Sequence, residues 1–307
     1  MAFNPIAAGA TGFIARLTLA TGMDERSALR VVEGFVAAAG DDAAVVDGMA
    51  VAVDMLHADT DLPGGITPYT TGWRAVSVAL SDLAAVGAVP AATLSVYSPP
   101  RYEADRLEAY LRGATDASEA VDARYVGGDL DITEELTVVG VALGRVDEPV
   151  GRSGAVPGDA VVVTGSLGRG AVAMDRFEAG EDEAANALFR IEPRIDAGVR
   201  LAEVATAMID SSDGLARSLH LLAEASGCGI EIEADRIPYH EGLDEDRRRE
   251  GGLFWGEDFE LVATLDPDAL GSLPLDVPVT RIGTVTDAGV TIDGDPLPDR
   301  GYDHAPP

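Results

Sequence analysis

With 307 residues, the chain is long enough for two domains that each bury a core of their own. It carries 53 acidic residues against 22 basic ones, and its net charge of −31 argues against a nucleic-acid partner, because a polyanion repels a phosphate backbone. No apolar run approaches the roughly 18 residues that a membrane span requires, which predicts a soluble protein with no membrane partner.

All 22 basic residues are arginine, and lysine is absent. This composition is typical of halophilic proteins, whose self-repulsion is screened by the high salt of their cytoplasm. Cys228 is the only cysteine, so the chain has no disulfide framework and no zinc pattern, which fits a reducing cytoplasm. We therefore expect a cytoplasmic protein in which most carboxylates are surface groups, and we favour a packing role for Cys228 over a reactive thiol.

Residues 1–22 differ in pattern from the rest of the chain. Gly9-Ala10-Thr11-Gly12 is similar to a dinucleotide-binding fingerprint, but Asn4-Pro5 stands where an apolar strand should precede it. Met23 is a natural start, because an amphipathic helical pattern follows it. We predict that residues 1–22 are an upstream extension of the reading frame or a loose N-terminal segment.

The first predicted domain, residues 23–148, carries four carboxylates in unusual places. Asp42 lies in a turn that enters a strand, and Asp54 ends the strand predicted over residues 49–53. Asp82 lies in a helix predicted over residues 69–86, where an unpaired carboxylate on an apolar face is unfavourable. Asp129 follows Gly128 at another strand end; this glycine would let the backbone approach a phosphate closely, although a plain turn explains it equally. Strands over residues 93–97 and 136–143 and a helix over 102–121 complete this domain.

The second predicted domain, residues 149–307, opens with Arg152 in a glycine-flanked turn. The patterns predict helices over residues 171–177, 183–189 and 194–206, and strands over 160–164, 230–232, 261–265, 279–285 and 290–292. The glycine-rich stretch over residues 165–170 follows a strand, but it is not a Walker A loop, since that loop needs a lysine.

The octamer Met-Ile-Asp-Ser-Ser-Asp-Gly-Leu, residues 208–215, organises the second domain. It precedes an amphipathic helical pattern that Ser212 or Asp213 would cap, so Asp210 and Asp213 would gather where backbone N–H groups point outward. Such an arrangement suits phosphates carried on magnesium, although a well-capped surface helix explains the octamer taken alone.

Six carboxylates thus stand where a fold could bring them together: Asp42, Asp54, Asp82, Asp129, Asp210 and Asp213. Six exceed what one magnesium ion needs. Several metal ions together with an arginine could neutralise the charge of a transferred phosphate without any lysine. The spacing predicts a metal-dependent enzyme that acts on phosphates, and no narrower class.

Six motifs, in the same order, resemble those of the thiamine-monophosphate kinase family between about Asp24 and Tyr302. They are Gly40-Asp41-Asp42-Ala43, Ser81-Asp82-Leu83-Ala84-Ala85, Gly127-Gly128-Asp129, Gly151-Arg152-Ser153-Gly154-Ala155, Ile209-Asp210-Ser211-Ser212-Asp213-Gly214-Leu215 and Gly256-Glu257-Asp258-Phe259-Glu260-Leu261. Asp54-Met55-Leu56-His57 also resembles the archaeal version of the family's motif after its second strand. One such motif is weak evidence, whereas six in order over most of the chain are specific.

The resemblance implies the two-domain fold of the aminoimidazole ribonucleotide synthetase superfamily, of class α/β (α+β). An N-terminal α/β domain would dimerise through its sheet, and a C-terminal α+β domain would complete the nucleotide site. The implied activity is transfer of the γ-phosphate of ATP to thiamine monophosphate, giving thiamine diphosphate. The transfer would be in line, assisted by several Mg²⁺ ions, and would need no covalent nucleophile. ATP and thiamine monophosphate would be the small-molecule partners of a homodimer.

The resemblance also implies the site residues. The metal ligands would be the six carboxylates named above. The ATP site would include Gly128, Asp129, Arg152 and Ser212, and the catalytic residues would be Asp210, Asp129 and Arg152. Glu257 would contact the thiamine substrate.

The chain departs from the family pattern in three places. Ala52-Val53 replaces the Ser-Thr that many bacterial members have before the second-strand carboxylate. The family's substrate-binding histidine aligns best with Asp61, with His57 as a displaced candidate. Asp299 occupies the place of a C-terminal aromatic residue, and Tyr302 is the aromatic residue close to it.

Two other functions remain open. The first is a sister enzyme of the same superfamily that acts on another phosphate or carboxamide substrate. Selenophosphate synthetase and the hydrogenase-maturation dehydratase need cysteine or lysine residues that this chain lacks at the relevant places, so both are disfavoured. The second is a non-catalytic nucleotide- or metal-binding protein, against which Asp82 on an apolar helix face and Arg152 in its turn both argue.

Overall fold

The computed structural model describes residues 25–36, 39–272, 274–275 and 277–302, so the predictions on residues 1–22 lie outside the described part. Gly40–Tyr302 forms one compact unit. The described residues before it include helix α1, Glu25–Glu33. None of the described helices is both long and apolar enough to cross a membrane.

The first half of the compact unit is a five-stranded sheet with two helices. Its elements are β1 (Ala44–Val46), β2 (Met49–His57), α2 (Pro68–Ala85), β3 (Val89–Ser98), α3 (Ala104–Glu119), β4 (Arg124–Leu130) and β5 (Thr137–Arg145). The strand order is β1-β2-β5-β3-β4, in which β3 and β4 are parallel and the other pairs antiparallel. Side chains of β2 alternate as expected for a half-buried strand, with Ala50 and Ala52 buried and Val53 exposed.

The second half is a seven-stranded sheet with helices. Its elements are β6 (Ala160–Thr164), α4 (Arg169–Glu178), α5 (Asp182–Phe189), α6 (Ile195–Leu201), β7 (Ala205–Asp210), α7 (Leu215–Ser226), β8 (Gly229–Ile232), α8 (Arg248–Leu253), β9 (Leu261–Leu265), β10 (Val279–Thr286), β11 (Val290–Ile292) and β12 (Asp295–Pro296). The strand order is β12-β11-β8-β10-β6-β9-β7, with only β11 and β8 parallel among these pairs. The helix predicted over residues 194–206 ends at Leu201, because the chain from Ala205 onward pairs with β9.

Helix α2 is packed against both sheets. Its N-cap is Thr67, whose side-chain oxygen accepts a hydrogen bond from a backbone N–H of the first turn. Val76 and Leu80 are fully buried in an apolar cluster that takes Ala142 from the first sheet and Met208 from the second. One continuous core therefore fixes α2 relative to strands of both halves.

Two glycines let α2 and α3 approach until their backbones touch. A Cβ atom on Gly72 of α2 would lie 1.9 Å from the carbonyl oxygen of Tyr110 in α3. A Cβ atom on Gly113 of α3 would lie 1.9 Å from the carbonyl oxygen of Tyr69 in α2. Because the atoms in the way belong to the backbone, a larger side chain at either position must push the helices apart.

We expect Gly113→Ala to lower the free energy of unfolding by about 2 kcal/mol or more, through overpacking of this contact. Urea denaturation at constant high salt measures the change. Gly271→Ala is the matched control, since a Cβ atom there would meet nothing within 4 Å. Equal stability of the Gly113→Ala and Gly271→Ala proteins would contradict the close contact.

Candidate active site

Four of the six predicted metal ligands come together. Asp42 comes from the turn before β1, Asp82 from α2 and Asp210 from the last position of β7. Each offers one carboxylate oxygen, and these three oxygens lie within 4.8 Å of one another. Asp54 of β2 is hydrogen-bonded to Asp82. We call Asp42, Asp82 and Asp210 the carboxylate cluster.

Burial and mutual repulsion make the carboxylate cluster hard to ionise. The pKa of Asp210 is raised to about 8, first by burial and then by Asp42, although the Ser81 hydroxyl donates to Asp210 Oδ2 at 2.5 Å and lowers it. Burial raises the pKa of Asp82 well above its ordinary value, and Asp54 and Asp210 raise it further. Burial likewise raises the pKa of Asp42. Carboxylates removed from water at such short separations need positive charge to remain ionised.

Arg152 supplies part of that charge. Its Nη2 donates to Asp42 Oδ1 at 2.6 Å, and its backbone N–H donates to Asp41 Oδ1 at 2.7 Å. Burial lowers the pKa of Arg152, but Asp42 and the neighbouring carboxylates raise it by more, so the guanidinium stays charged. One cation beside three carboxylates leaves an excess of negative charge.

The residues present fit a magnesium ion. Asp42 Oδ2 is buried and has no hydrogen-bond partner among the residues that the structure describes. A hard divalent cation binds carboxylate oxygens of this kind and would offset the excess negative charge. The donor set therefore agrees with the metal that the sequence resemblance implied.

Asp129 and Asp213, the other two predicted ligands, stand outside the carboxylate cluster. Asp129 is exposed on β4, where its Oδ1 accepts a hydrogen bond from the N–H of Leu130 at 2.9 Å. Asp213 is half-buried in the turn between β7 and α7. Their roles as ligands stay predictions.

Two predicted ATP-site residues have structural roles that the sequence did not reveal. A Cβ atom on Gly128 would lie 1.7 Å from the carbonyl oxygen of Ser95, so the packing of β4 on β3 already requires glycine there. The backbone oxygen of Ser212 accepts a hydrogen bond from the N–H of Glu257 at 2.7 Å. The predicted contacts of Gly128 and Ser212 with ATP stay predictions.

The prediction that Ser212 or Asp213 caps the following helix is wrong. Helix α7 begins after Gly214, which has a φ of 106° and no capping side chain. Few residues other than glycine adopt this backbone conformation, so the turn depends on Gly214 rather than on a polar cap. The backbone oxygen of Asp213 accepts a hydrogen bond from the N–H of Tyr302 at 3.1 Å.

Both predicted substrate residues lie close to Tyr302. The Tyr302 hydroxyl donates to Asp61 Oδ1 at 3.3 Å. Burial raises the pKa of Tyr302, and the charges of Asp61 and Glu257 raise it further. His57, the alternative to Asp61, instead contacts Thr137 through its Nδ1 atom at 3.0 Å. The fold therefore favours Asp61 over His57 as the member of this group.

Sequence reasoning missed Arg74. This residue of α2 is fully buried, its Nη2 donates to Glu257 Oε2, and its Nη1 donates to the Phe189 carbonyl at 3.2 Å. Its guanidinium carbon also lies 3.8 Å from the centroid of the Phe189 ring. The helical pattern held no signal for this residue, because Arg74 directly follows Trp73 and so does not share the predicted apolar face of Trp73 and Val76.

The glycine-rich loop after β6 binds a carboxylate of the protein itself. Asp258 is buried, and its two carboxylate oxygens accept hydrogen bonds from the N–H groups of Gly168 at 2.7 Å and Gly170 at 3.1 Å. Burial raises the pKa of Asp258 to about 7, although these two N–H groups lower it. The N-terminus of α4, a favourable place for an anion, is thus occupied by Asp258.

Comparison with known proteins agrees with this architecture. The family described as AIR synthase related protein, N-terminal domain, matches residues 40–146, and its C-terminal counterpart matches residues 156–294. The chain therefore has the two-domain fold of the AIR synthase related proteins, as the sequence predicted.

Similar individual proteins indicate which enzyme class within this fold family the chain belongs to. The chain is 51% identical to the thiamine-monophosphate kinase of Halobacterium salinarum over 92% of its own length and 100% of that protein. It is 38% identical to the thiamine-monophosphate kinase of Methanospirillum hungatei over 92% of its own length and 99% of that protein. The solved structure of AaThiL complexed with AMPPCP and TMP matches with a TM-score of 0.86 at 27% identity, covering 94% of this chain and 100% of that one. The chain belongs to the thiamine-monophosphate kinase family and is an enzyme of the kinase class.

The raised pKa of Asp258 predicts a pH dependence of stability. Because its pKa is about 7 in the folded protein against an ordinary 3.8, folding favours the protonated carboxyl group. The stabilisation from this group is complete below the ordinary pKa and is lost as the pH rises through about 7. Asp258→Asn should therefore weaken the fall in unfolding free energy between roughly pH 4 and pH 7.

Urea denaturation at constant high salt measures both slopes. Glu148→Gln removes one exposed carboxylate and should keep the parent slope. A parent-like slope in the Asp258→Asn protein would show that Asp258 does not titrate in this range.

Proposed function

We propose that this protein catalyses the ATP-dependent phosphorylation of thiamine monophosphate to thiamine diphosphate. The observation that carries the proposal is the convergence of Asp42, Asp82 and Asp210 beside Arg152 in a chain of this family. Two relatives that align over nearly their whole lengths are thiamine-monophosphate kinases, and the similar AaThiL structure holds AMPPCP and TMP.

The carboxylate cluster would hold Mg²⁺, with Asp54 beside it. Several ions are part of the proposal, and Asp129 and Asp213 would add their carboxylates to the ligand set in the nucleotide complex. Magnesium bound here would neutralise charge on the phosphates.

Arg152 places a fixed positive charge beside the carboxylate cluster. The proposal assigns Gly128, Asp129, Arg152 and Ser212 to the ATP site, and Asp210, Asp129 and Arg152 to catalysis. Transfer would be direct and in line, because the acceptor is already a phosphate and its oxygen can attack without a covalent intermediate on the protein. The chain's own contribution is then to orient the two phosphates and to stabilise the charge that develops between them.

A second group of side chains suits the thiamine end of the acceptor, opposite its phosphate. It consists of Asp61, Glu257 and Tyr302. Thiamine carries a positively charged thiazolium ring, and two carboxylates beside an aromatic ring are a favourable environment for an organic cation. Glu257 is connected to the ATP side through its N–H, which donates to the Ser212 carbonyl at 2.7 Å. This connection supports an acceptor site next to the phosphate site.

We also propose that the enzyme is a cytoplasmic homodimer that pairs through the outer face of the five-stranded sheet. Rows of apolar side chains cross its three central strands: Val51, Leu143 and Ala92; Val53, Val141 and Leu94; Met55, Val139 and Val96. Val53 is 61% exposed and Met55 52% exposed. An apolar face of this extent is typical of an interaction surface rather than of a monomer's solvent-facing sheet.

Asp210→Asn should abolish phosphoryl transfer, lowering turnover by about a thousandfold or more, because a charged ligand at the reacting phosphates is lost. The fold should persist, since asparagine has nearly the same volume. The assay combines ATP, magnesium and thiamine monophosphate at high salt and separates thiamine diphosphate from ADP.

Asp105→Asn, at an exposed position on α3, is the control and should keep the parent rate. Parent-like turnover by the Asp210→Asn protein would remove Asp210 from the metal site. ADP without thiamine diphosphate from the parent protein would mean a different acceptor.

Val53→Arg should convert the dimer into a monomer of 31.7 kDa, because it places a charge in the centre of the proposed interface. Sedimentation at high salt measures the mass. Val156→Arg changes another exposed valine, 52% exposed and in the second half of the chain, and should leave the dimer intact. A monomeric parent protein, or a dimeric Val53→Arg protein, would exclude this interface.

A further inference from the structure

We propose that Arg74 is a positioning residue that fixes the carboxylate of Glu257 for the cationic, thiamine-bearing end of the acceptor. The proposal rests on the proposed function, in which Glu257 contacts that substrate. Arg74 itself is fully buried and does not reach solvent, so it would act through Glu257 rather than by touching the acceptor.

Arg74 binds one of the two carboxylate oxygens of Glu257. Arg74 Nη2 donates to Glu257 Oε2, while Glu257 Oε1 accepts no hydrogen bond from the residues that the structure describes. The side chain of Glu257 is 31% exposed, whereas that of Arg74 is 0% exposed. Oε2 of Glu257 is therefore bound by a buried arginine, and Oε1 remains available to a ligand.

The surroundings of Arg74 hold its guanidinium in one place. The group stacks on the ring of Phe189, and its Nη1 donates to the carbonyl of the same residue. A planar guanidinium that is stacked on one side and hydrogen-bonded along its edge has little rotational freedom. The Glu257 carboxylate that it binds is consequently restricted in orientation as well as in position.

The backbone of Glu257 is fixed independently of its side chain. Glu257 has a φ of 65°, a conformation that residues other than glycine seldom adopt. Its N–H donates to the Ser212 carbonyl at 2.7 Å, and the N–H of Phe259 donates to the Ser211 carbonyl at 3.0 Å. With its backbone bound to the turn after β7 and its side chain bound to Arg74, Glu257 holds its carboxylate in a fixed position relative to that turn.

Stability alone does not account for Arg74. Replacing a buried ion pair by apolar residues of similar size is often neutral or stabilising. Arg74 also leaves its Nε buried without a hydrogen-bond partner among the described residues, which is a further unfavourable contribution. Burial of Arg74 is unfavourable, and its ion-pair partner Glu257 is a partly exposed carboxylate at the proposed ligand site. The orientation that Arg74 imposes on the Glu257 carboxylate explains this arginine better than stability does.

The test compares steady-state kinetics of Arg74→Met, Arg74→Lys and Glu257→Gln with those of the parent. Methionine keeps the packing on Phe189 but cannot pair with Glu257. We expect Arg74→Met to raise the KM for thiamine monophosphate about tenfold, with little change in the KM for ATP, because a charge-assisted contact to Glu257 is lost. Arg74→Lys retains the charge without the planar geometry and should fall between Arg74→Met and the parent.

The double variant Arg74→Met with Glu257→Gln separates positioning from a general structural effect. If Arg74 acts through Glu257, the double variant binds the acceptor no more weakly than Glu257→Gln alone. Additive losses in KM would overturn the proposal. An unchanged KM in Glu257→Gln would overturn the assignment of Glu257 to the substrate, and the role of Arg74 with it. Failure of the proposed function is a different outcome, in which the parent protein forms no thiamine diphosphate.

Arg194→Met is the matched control, since Arg194 is another arginine, 17% exposed at its side chain, that pairs with the same loop. Its Nη2 and Nε donate to Glu260 at 2.6 and 2.8 Å. We expect this variant to lower the melting temperature without raising the KM for thiamine monophosphate. A rise in that KM equal to the rise in Arg74→Met would show that any loosening of the loop is sufficient, and the specific role of Arg74 would be excluded.

Discussion

The repulsion among three buried carboxylates is the constraint on which this structure depends. Asp42, Asp82 and Asp210 come from a turn, a helix and a strand of different parts of the chain, and their oxygens still approach within 4.8 Å. Burial and like charge both oppose this arrangement, as the raised pKa values record. Ser81 and Arg152 offset only part of this repulsion, so packing elsewhere in the fold must hold the carboxylate cluster together.

Helix α2 provides that packing and also connects the two ends of the site. Its apolar face is shared between both sheets, and Gly72 brings its backbone into contact with α3. Asp82 and Arg74 lie eight residues apart on this helix, which corresponds to about 12 Å along its axis. One helix therefore carries both the carboxylate at the proposed phosphate end and the guanidinium near the proposed acceptor end.

The sequence predicted the carboxylates whose local setting is unusual, but it could not predict which of them converge. Asp82 was identifiable because a carboxylate on an apolar helix face needs a partner, and in the fold it is hydrogen-bonded to Asp54 beside Asp42 and Asp210. Asp129 follows two glycines at a strand end, a pattern that indicates a ligand site equally well. In the fold it is exposed on β4. The position of β4 at the edge of the sheet follows from the strand order, which no local sequence pattern reveals.

Long-range partners explain the remaining differences. The loop at residues 165–170 has the composition of an anion-binding turn, and the anion that it binds is Asp258, which stands 88 residues beyond Gly170. Helix α7 begins after Gly214, where a Cβ atom would lie 3.0 Å from the carbonyl oxygen of Leu253. No capping side chain starts this helix, so the sequence contains no polar capping pattern for it. Arg74 was overlooked because its partner, Glu257, is 183 residues away.

The charge of −31 gives these buried contacts a particular importance. At the salt concentrations that such a composition suits, the Debye length falls to about 3 Å, and exposed ion pairs such as that of Arg200 and Glu203 contribute little. Buried and partly buried pairs are screened much less. The pairs formed by Arg74, Arg152 and Arg194 all meet carboxylates of the site or of its supporting loop. In a chain without lysine, the planar guanidinium thus fixes the orientation of these carboxylates in contacts that salt screens less than it screens exposed pairs.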